Sequence, residues 1–167
     1  MPQQRVIVLL GSASDAEFAA PMRELFDRFK VSFEFHVASA HKDSQRLIEM
    51  LDKYERLGDQ IVYVTITGMS NALSGFVDFK TRHPVIACPR LEEDFRLVDI
   101  YSSLRMPRGV APLVVLNPEN AGVAAVKILG ETNPDLADKI RQMQADMQSK
   151  NEEDDERIRN QYSRSVG

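Results

Sequence analysis

Three short segments carry the residue types that hold anions and move protons: Gly11-Ser12-Ala13-Ser14-Asp15, Ser39-Ala40-His41-Lys42 and Thr67-Gly68-Met69-Ser70-Asn71. Together they offer backbone N–H groups beside two glycines, several hydroxyls, one carboxylate, one ammonium and one imidazole. That inventory suits an anionic, hydroxyl-bearing small molecule whose chemistry needs a proton moved. A chain that leaves a strand at Gly11 and enters a helix exposes N–H groups with no partner inside the helix, and these suit phosphate. Ser12 and Ser14 add hydroxyl donors there. Asp15 would repel phosphate and is better suited to accept from ribose hydroxyls or to cap the helix; capping alone would explain Ser14 or Asp15. His41 is usually the kind of residue that is packed or solvated, but an imidazole among hydroxyls in a cleft is the natural general acid/base near neutral pH. Lys42 beside it holds phosphate or is simply solvated. His36, inside a strand, and His83, in the turn Thr81-Arg82-His83-Pro84, are weaker candidates.

The elements that would position these segments are legible from hydrophobic pattern. Val6-Ile7-Val8-Leu9-Leu10 is a continuous apolar run ended by Gly11, the mark of a strand covered on both faces. Ile61 to Ile66, Val85-Ile86-Ala87-Cys88 and Leu113-Val114-Val115-Leu116 read the same way, whereas Phe33-Glu34-Phe35-His36-Val37 alternates and is placed nearer an edge. Helical spacing separates the strands. Residues 16–29 carry Phe18, Met22, Leu25, Phe26 and Phe29 on one stripe, and residues 44–57 carry Leu47, Ile48, Leu51 and Tyr54 before stopping at Gly58. A short helix is expected near Asn71 and another over 122–129. The β-α-β-α order gives an α/β class with a central parallel sheet, and in such a sheet the segments just past the strands share one carboxyl edge. Three loops then make one site.

After Asn133-Pro134 the character changes to a long polar helix reaching about residue 160, with Leu136, Ile140, Met143 and Met147 as a narrow stripe. The expected organisation is a catalytic domain over 1–132 and a C-terminal helical extension over 133–167 with a polar tail. At 1.5 Å per residue that helix spans roughly 40 Å, more than the domain needs, so it is expected to pack on another subunit. Glu152-Glu153-Asp154-Asp155-Glu156 reads as a solvated face. The 167 residues make one domain's worth of core. A net charge of -4 disfavours nucleic acid and anionic membrane surfaces as partners. The single cysteine, Cys88, allows no internal disulfide, and no spacing suggests a metal site. Five apolar residues after Arg5 are too few for a signal peptide or a membrane span, so a soluble cytoplasmic protein is expected.

Thr65-Ile66-Thr67-Gly68-Met69-Ser70 looks like the phosphate loop of flavodoxins, but that loop follows their first strand and this one follows the third. A closer resemblance covers roughly residues 5 to 130. The loop G-S-x-S-D at Gly11 to Asp15, S-A-H-K at Ser39 to Lys42, S-N-A-L-S-G at Ser70 to Gly75 and Y-S-S-L-R-M-P at Tyr101 to Pro107 resemble the PurE family of purine biosynthesis. Lys42 after the histidine, and Ser70-Asn71-Ala72, point to its second class, the 5-aminoimidazole ribonucleotide carboxylases. The resemblance implies a flavodoxin-like three-layer αβα fold with a long C-terminal helix, and a homo-oligomer, tetramer or octamer. It also implies reversible carboxylation of aminoimidazole ribonucleotide with carbon dioxide to the 4-carboxylate, without biotin, ATP, metal or other cofactor. By the same resemblance His41 is the catalytic residue, and Ser12, Asp15, Ser39, Lys42, Gly68 and Ser70 hold the nucleotide and the new carboxylate. Ser14, Ala40 and Asn71 follow as second-rank substrate contacts. The alternatives are a mutase acting on the N-carboxylated nucleotide, or a binding-only member. One departure stands out: the second-class pattern usually has arginine at the place of Met69. The segment 99–109 reads as a lid or an intersubunit contact.

Overall fold

The structure, a computed structural model, describes residues 3–91 and 96–163; the start of the amino-terminal segment and the last four residues of the polar tail lie outside the described residues. Five strands, β1 (Gln4–Leu10), β2 (Ser32–Val37), β3 (Gln60–Ile66), β4 (Val85–Ala87) and β5 (Leu113–Val114), form one sheet in the order β2-β1-β3-β4-β5. Every pairing is parallel. Helices α1 (Ala16–Phe29), α2 (Ser44–Leu57), α3 (Ala72–Lys80), α4 (Arg96–Asp99), α5 (Tyr101–Leu104), α6 (Pro118–Gly130) and α7 (Pro134–Tyr162) complete the chain. This is the expected α/β flavodoxin-like architecture.

The pattern of apolar residues explains the layers. Val6 to Leu9 and Ile61 to Val64 are fully buried, as strands covered by helices on both faces must be. Ile7, Leu9, Ile61 and Tyr63 pack with Leu47, Leu51 and Tyr54 of α2 and Leu73 and Val77 of α3. On α6, Gly122 sits so close to α1 that an added Cβ would lie 2.8 Å from Leu25 Cδ2, so those two helices meet without a side chain between them. Helix α2 starts where Asp43 accepts from the N–H of Arg46, and stops at Gly58, whose φ of 69° is left-handed.

Two sequence expectations need correction. β5 is short and Leu113 is 52% exposed, because an edge strand has a neighbour on one side only, so its apolar run does not report burial on both faces. Helix α6 begins at Pro118 rather than 122, since Asn117 accepts from the N–H of Asn120 and Pro118 fits the first turn. The segment 99–109 contains a helical turn that buries Ser103 and leaves Tyr101 and Leu104 exposed. β2, in contrast, is the edge strand that its alternation suggested.

The chain divides into two compact units, Met1–Leu129 and Gly130–Gly167. In the second, Asn133 caps α7 by accepting from the N–H of Leu136, with Pro134 in the first turn. Leu136, Ile140 and Met143 of its stripe are buried, whereas Met147 is exposed. No helix among the described residues is long and apolar enough to cross a membrane. Cys88, just past β4, is fully buried; burial pushes its thiol up to about 12.

Candidate functional site

The parallel register brings the ends of β1, β2 and β3 side by side, Leu10 facing Val37 on one flank and Ile66 on the other. The loops that follow enclose a cleft of about 350 Å³ at the carboxyl edge. Close approach of the first and third loops shapes its floor: the N–H of Gly11 donates to the Ile66 carbonyl at 2.8 Å, and a Cβ on Gly11 would lie 2.6 Å from Thr67 Oγ1. Only glycine fits there.

Ser12, Ser14, Asp15, Ser39, Ala40, His41, Lys42, Gly68 and Ser70 all line this cleft. Their hydrogen bonding divides them. Asp15 is 3% exposed, and its Oδ2 accepts from the Ser12 N–H at 2.9 Å, which folds the first loop back on itself. The Ser12 and Ser14 hydroxyls are hydrogen-bonded to each other at 2.6 Å, one donating to the other, which leaves the pair one outward donor. Ser39 Oγ accepts from the Lys42 N–H at 3.3 Å and closes the turn that presents His41. His41 and Lys42 are exposed, and among the described residues neither side chain has a hydrogen-bonding or ionic partner within the chain. Groups with unspent capacity at the rim of a cleft are free to bind or to transfer protons.

Asn71 is the predicted contact that the structure does not bring into the cleft. Its Nδ2 donates to Ser103 Oγ at 2.8 Å, its Oδ1 accepts from the Ser74 N–H, and its own N–H donates to Ser102 Oγ at 3.0 Å. The side chain is 2% exposed. It caps α3 and ties the third loop to the Ser102-Ser103 segment. A pairing of residues some thirty positions apart left no local signal for it. His36 and His83 also lie elsewhere, bonded to Tyr54 and facing Glu55 respectively.

Gly11 and Thr67 form the floor, and two lining residues lie outside the three segments singled out in the sequence: Leu73 of α3 and Arg90. Met69 lines the wall with φ of 58°, a left-handed conformation that non-glycine residues adopt uncommonly, and it is 74% exposed.

Comparison with known proteins gives a consistent result. The family model described as AIR carboxylase matches residues 5–150. A curated Treponema denticola protein named phosphoribosylaminoimidazole carboxylase is 39% identical over 92% of this chain and 97% of its own length. An Archaeoglobus fulgidus protein of the same name is 37% identical over 93% of this chain and 85% of its own. The crystal structure of Treponema denticola PurE superposes with a TM-score of 0.86 at 37% identity, covering 97% of this chain and all of that one.

Proposed function

The chain belongs to the AIR carboxylase family, and from that membership we propose that it carboxylates 5-aminoimidazole ribonucleotide reversibly with carbon dioxide, giving the 4-carboxylate of purine biosynthesis. Within that reading Lys42 and the Ser70-Asn71 sequence assign it to the direct carboxylases rather than the mutases. The protein works in the cytoplasm as a homo-oligomer. Its C-terminal unit is assigned to a contact with another copy, since the Met147 end of the α7 stripe is exposed.

The observation that carries the mechanism is the imidazole of His41, without a partner among the described residues, on a cleft lined by hydroxyls and Lys42. Ser12, Ser14 and Ser39 surround the nucleotide phosphate, with Lys42 as its counter-charge, and the remaining lone pairs of Asp15 accept from the ribose hydroxyls. The 5-amino group makes the adjacent ring carbon enamine-like, and that carbon attacks carbon dioxide held against it. The new C–C bond leaves a tetrahedral carbon bearing both hydrogen and carboxylate. His41 takes the proton, and the C–H electron pair restores the aromatic ring; in the reverse direction the imidazolium returns the proton and carbon dioxide leaves. Gly68 and Ser70 lie beside the new carboxylate.

The test mixes the protein with aminoimidazole ribonucleotide and labelled bicarbonate, without ATP. Label on the ring carbon is the expected result. Rapid conversion of the N-carboxylated nucleotide with poor incorporation from bicarbonate would overturn the assignment in favour of a mutase. Cutting the chain after Pro134 tests the assembly: light scattering should show a smaller or aggregating particle, and unchanged mass and solubility would remove α7 from the interface.

A further inference from the structure

We infer that Arg90 is a positioning residue that spans the cleft floor and fixes the first loop in the form that receives the nucleotide. Three contacts carry this. The backbone N–H of Arg90 donates to the Thr67 carbonyl at 3.0 Å, anchoring the residue to the loop after β3. Its Nη1 donates to the Ser14 carbonyl at 2.9 Å and lies 3.3 Å from Asp15 Oδ1. One residue just past β4 therefore joins the loops after β1 and β3, reaching across β3, the strand that lies between β4 and β1 in the sheet order.

The chemistry of the three partners makes this more than a surface ion pair. The Asp15 side chain is 4% exposed and that of Arg90 31%, so the pair is shielded on the aspartate side, where a charge without a counter-charge is costly. Asp15 Oδ2 is already committed to the Ser12 N–H. The guanidinium and the first loop's own N–H thus hold the two carboxylate oxygens, one each, and set the plane in which remaining lone pairs face the cleft. The same Nη1 fixes the peptide between Ser14 and Asp15 by its carbonyl. The two hydroxyls paired at 2.6 Å, Ser12 and Ser14, belong to that fixed segment. Among the described residues that line the cleft, Lys42 and Arg90 are also the two cations, since Met69 brings no charge to the wall. Arg90 therefore offsets the negative charge of Asp15 at the end of the cleft where the proposed sugar and phosphate contacts converge.

The ligand class is the one of the preceding reading, a ribonucleoside monophosphate, and the inference rests on that reading for its substrate. The test compares wild type, Arg90→Met and Arg90→Lys by calorimetry with aminoimidazole ribonucleotide, by steady-state carboxylation, and by amide hydrogen exchange of the free protein. Arg90→Met should raise Kd and KM about tenfold or more, leave kcat within about threefold, and speed exchange at the Ser12 and Asp15 amides. Lysine, which keeps the charge but not the fork, should recover part of the affinity. A parallel fall in kcat and thermal midpoint with unchanged Kd would reduce Arg90 to a structural strut and overturn the inference, as would wild-type affinity in Arg90→Met. Should wild type bind the nucleotide without carboxylating it, the proposed reaction fails while the affinity ratio still decides for or against Arg90. If wild type does not bind it at all, the exchange data decide: wild-type exchange at the Ser12 and Asp15 amides in Arg90→Met overturns the clamp.

Discussion

Two polar regions of this molecule are built on opposite plans. Beneath α2 runs a densely paired network: Arg5 bonds Glu34 at 3.0 Å and Asp59 at 2.6 Å, and Tyr54 OH donates to Glu34 at 2.9 Å and meets His36 Nε2 at 2.7 Å, while Arg5 Nε, Tyr63 OH and His83 Nε2 stay buried without a hydrogen bond. The rings continue from Tyr54 through Tyr63 to His83, with centroids 6.4 and 6.3 Å apart, where Glu55 accepts from Thr81 and pairs with Arg82. At the carboxyl edge, by contrast, neither the His41 nor the Lys42 side chain has a partner among the described residues. Both regions hold histidine, carboxylate and hydroxyl. What separates them is not residue type but where spare hydrogen-bonding capacity lies: sealed inside the fold in the first region, open to a ligand in the second.

That contrast is sharpest at His41, and replacing it should give the largest effect. His41→Asn is expected to lower turnover by roughly a hundredfold or more, the scale of a lost general acid/base, with thermal midpoint and nucleotide affinity almost unchanged. Wild-type turnover in that variant would break the comparison at its functional end. The mirror-image change is Tyr54→Phe, which strips a hydroxyl from Glu34 and His36. Denaturant unfolding should show a loss of about 1–3 kcal/mol, with carboxylation at saturating substrate preserved. If stability holds and activity falls instead, the network belongs to the site.

Ser12→Ala should act on binding alone, weakening nucleotide affinity by about 1–3 kcal/mol if a phosphate oxygen is left unpaired. Unchanged calorimetric affinity would place the phosphate elsewhere.

The smallest effects are in pH dependence. Burial works against the charge of Glu34, but hydrogen bonds from Tyr54 and Arg5 outweigh it and hold the carboxyl below its ordinary value of 4.5. Its contribution to stability is therefore complete above that value and is lost as pH falls through the lower folded pKa. Burial also lowers His83 from 6.5, against the pull of Glu55. The unfolded chain then binds the proton more readily, so stability declines as pH drops from 6.5 toward the folded value, and His83→Gln should flatten this part of the profile. A slope that survives the substitution would assign it to another group.

How much of this was legible in the sequence depends on the range of the interaction. β1 and β3 declared themselves as continuous apolar runs, and β2 declared its edge by alternation, because burial acts residue by residue. The three loops were legible because a parallel sheet must put them on one edge. β5 misled because four apolar residues do not say how many neighbours a strand has. Asn71 reads as a ligand in sequence, yet its amide is spent on Ser103, and nothing in the sequence tells that Arg90 reaches Ser14 across 76 positions. Contacts made by side chains between distant loops leave no periodicity to read.

Cys88 turns the packing beneath the cleft into a clock. Its N–H is bonded to the Thr65 carbonyl at 2.8 Å, its sulfur is enclosed, and it is the chain's single thiol. A thiol held neutral and out of reach reacts with an alkylating reagent only when the β3–β4 seam parts. The labelling rate of the unmodified protein therefore counts those partings directly, without an introduced dye or a mutation. A nucleotide that binds the closed form should slow the count in proportion to its occupancy, so affinity becomes measurable even in variants with no turnover to assay.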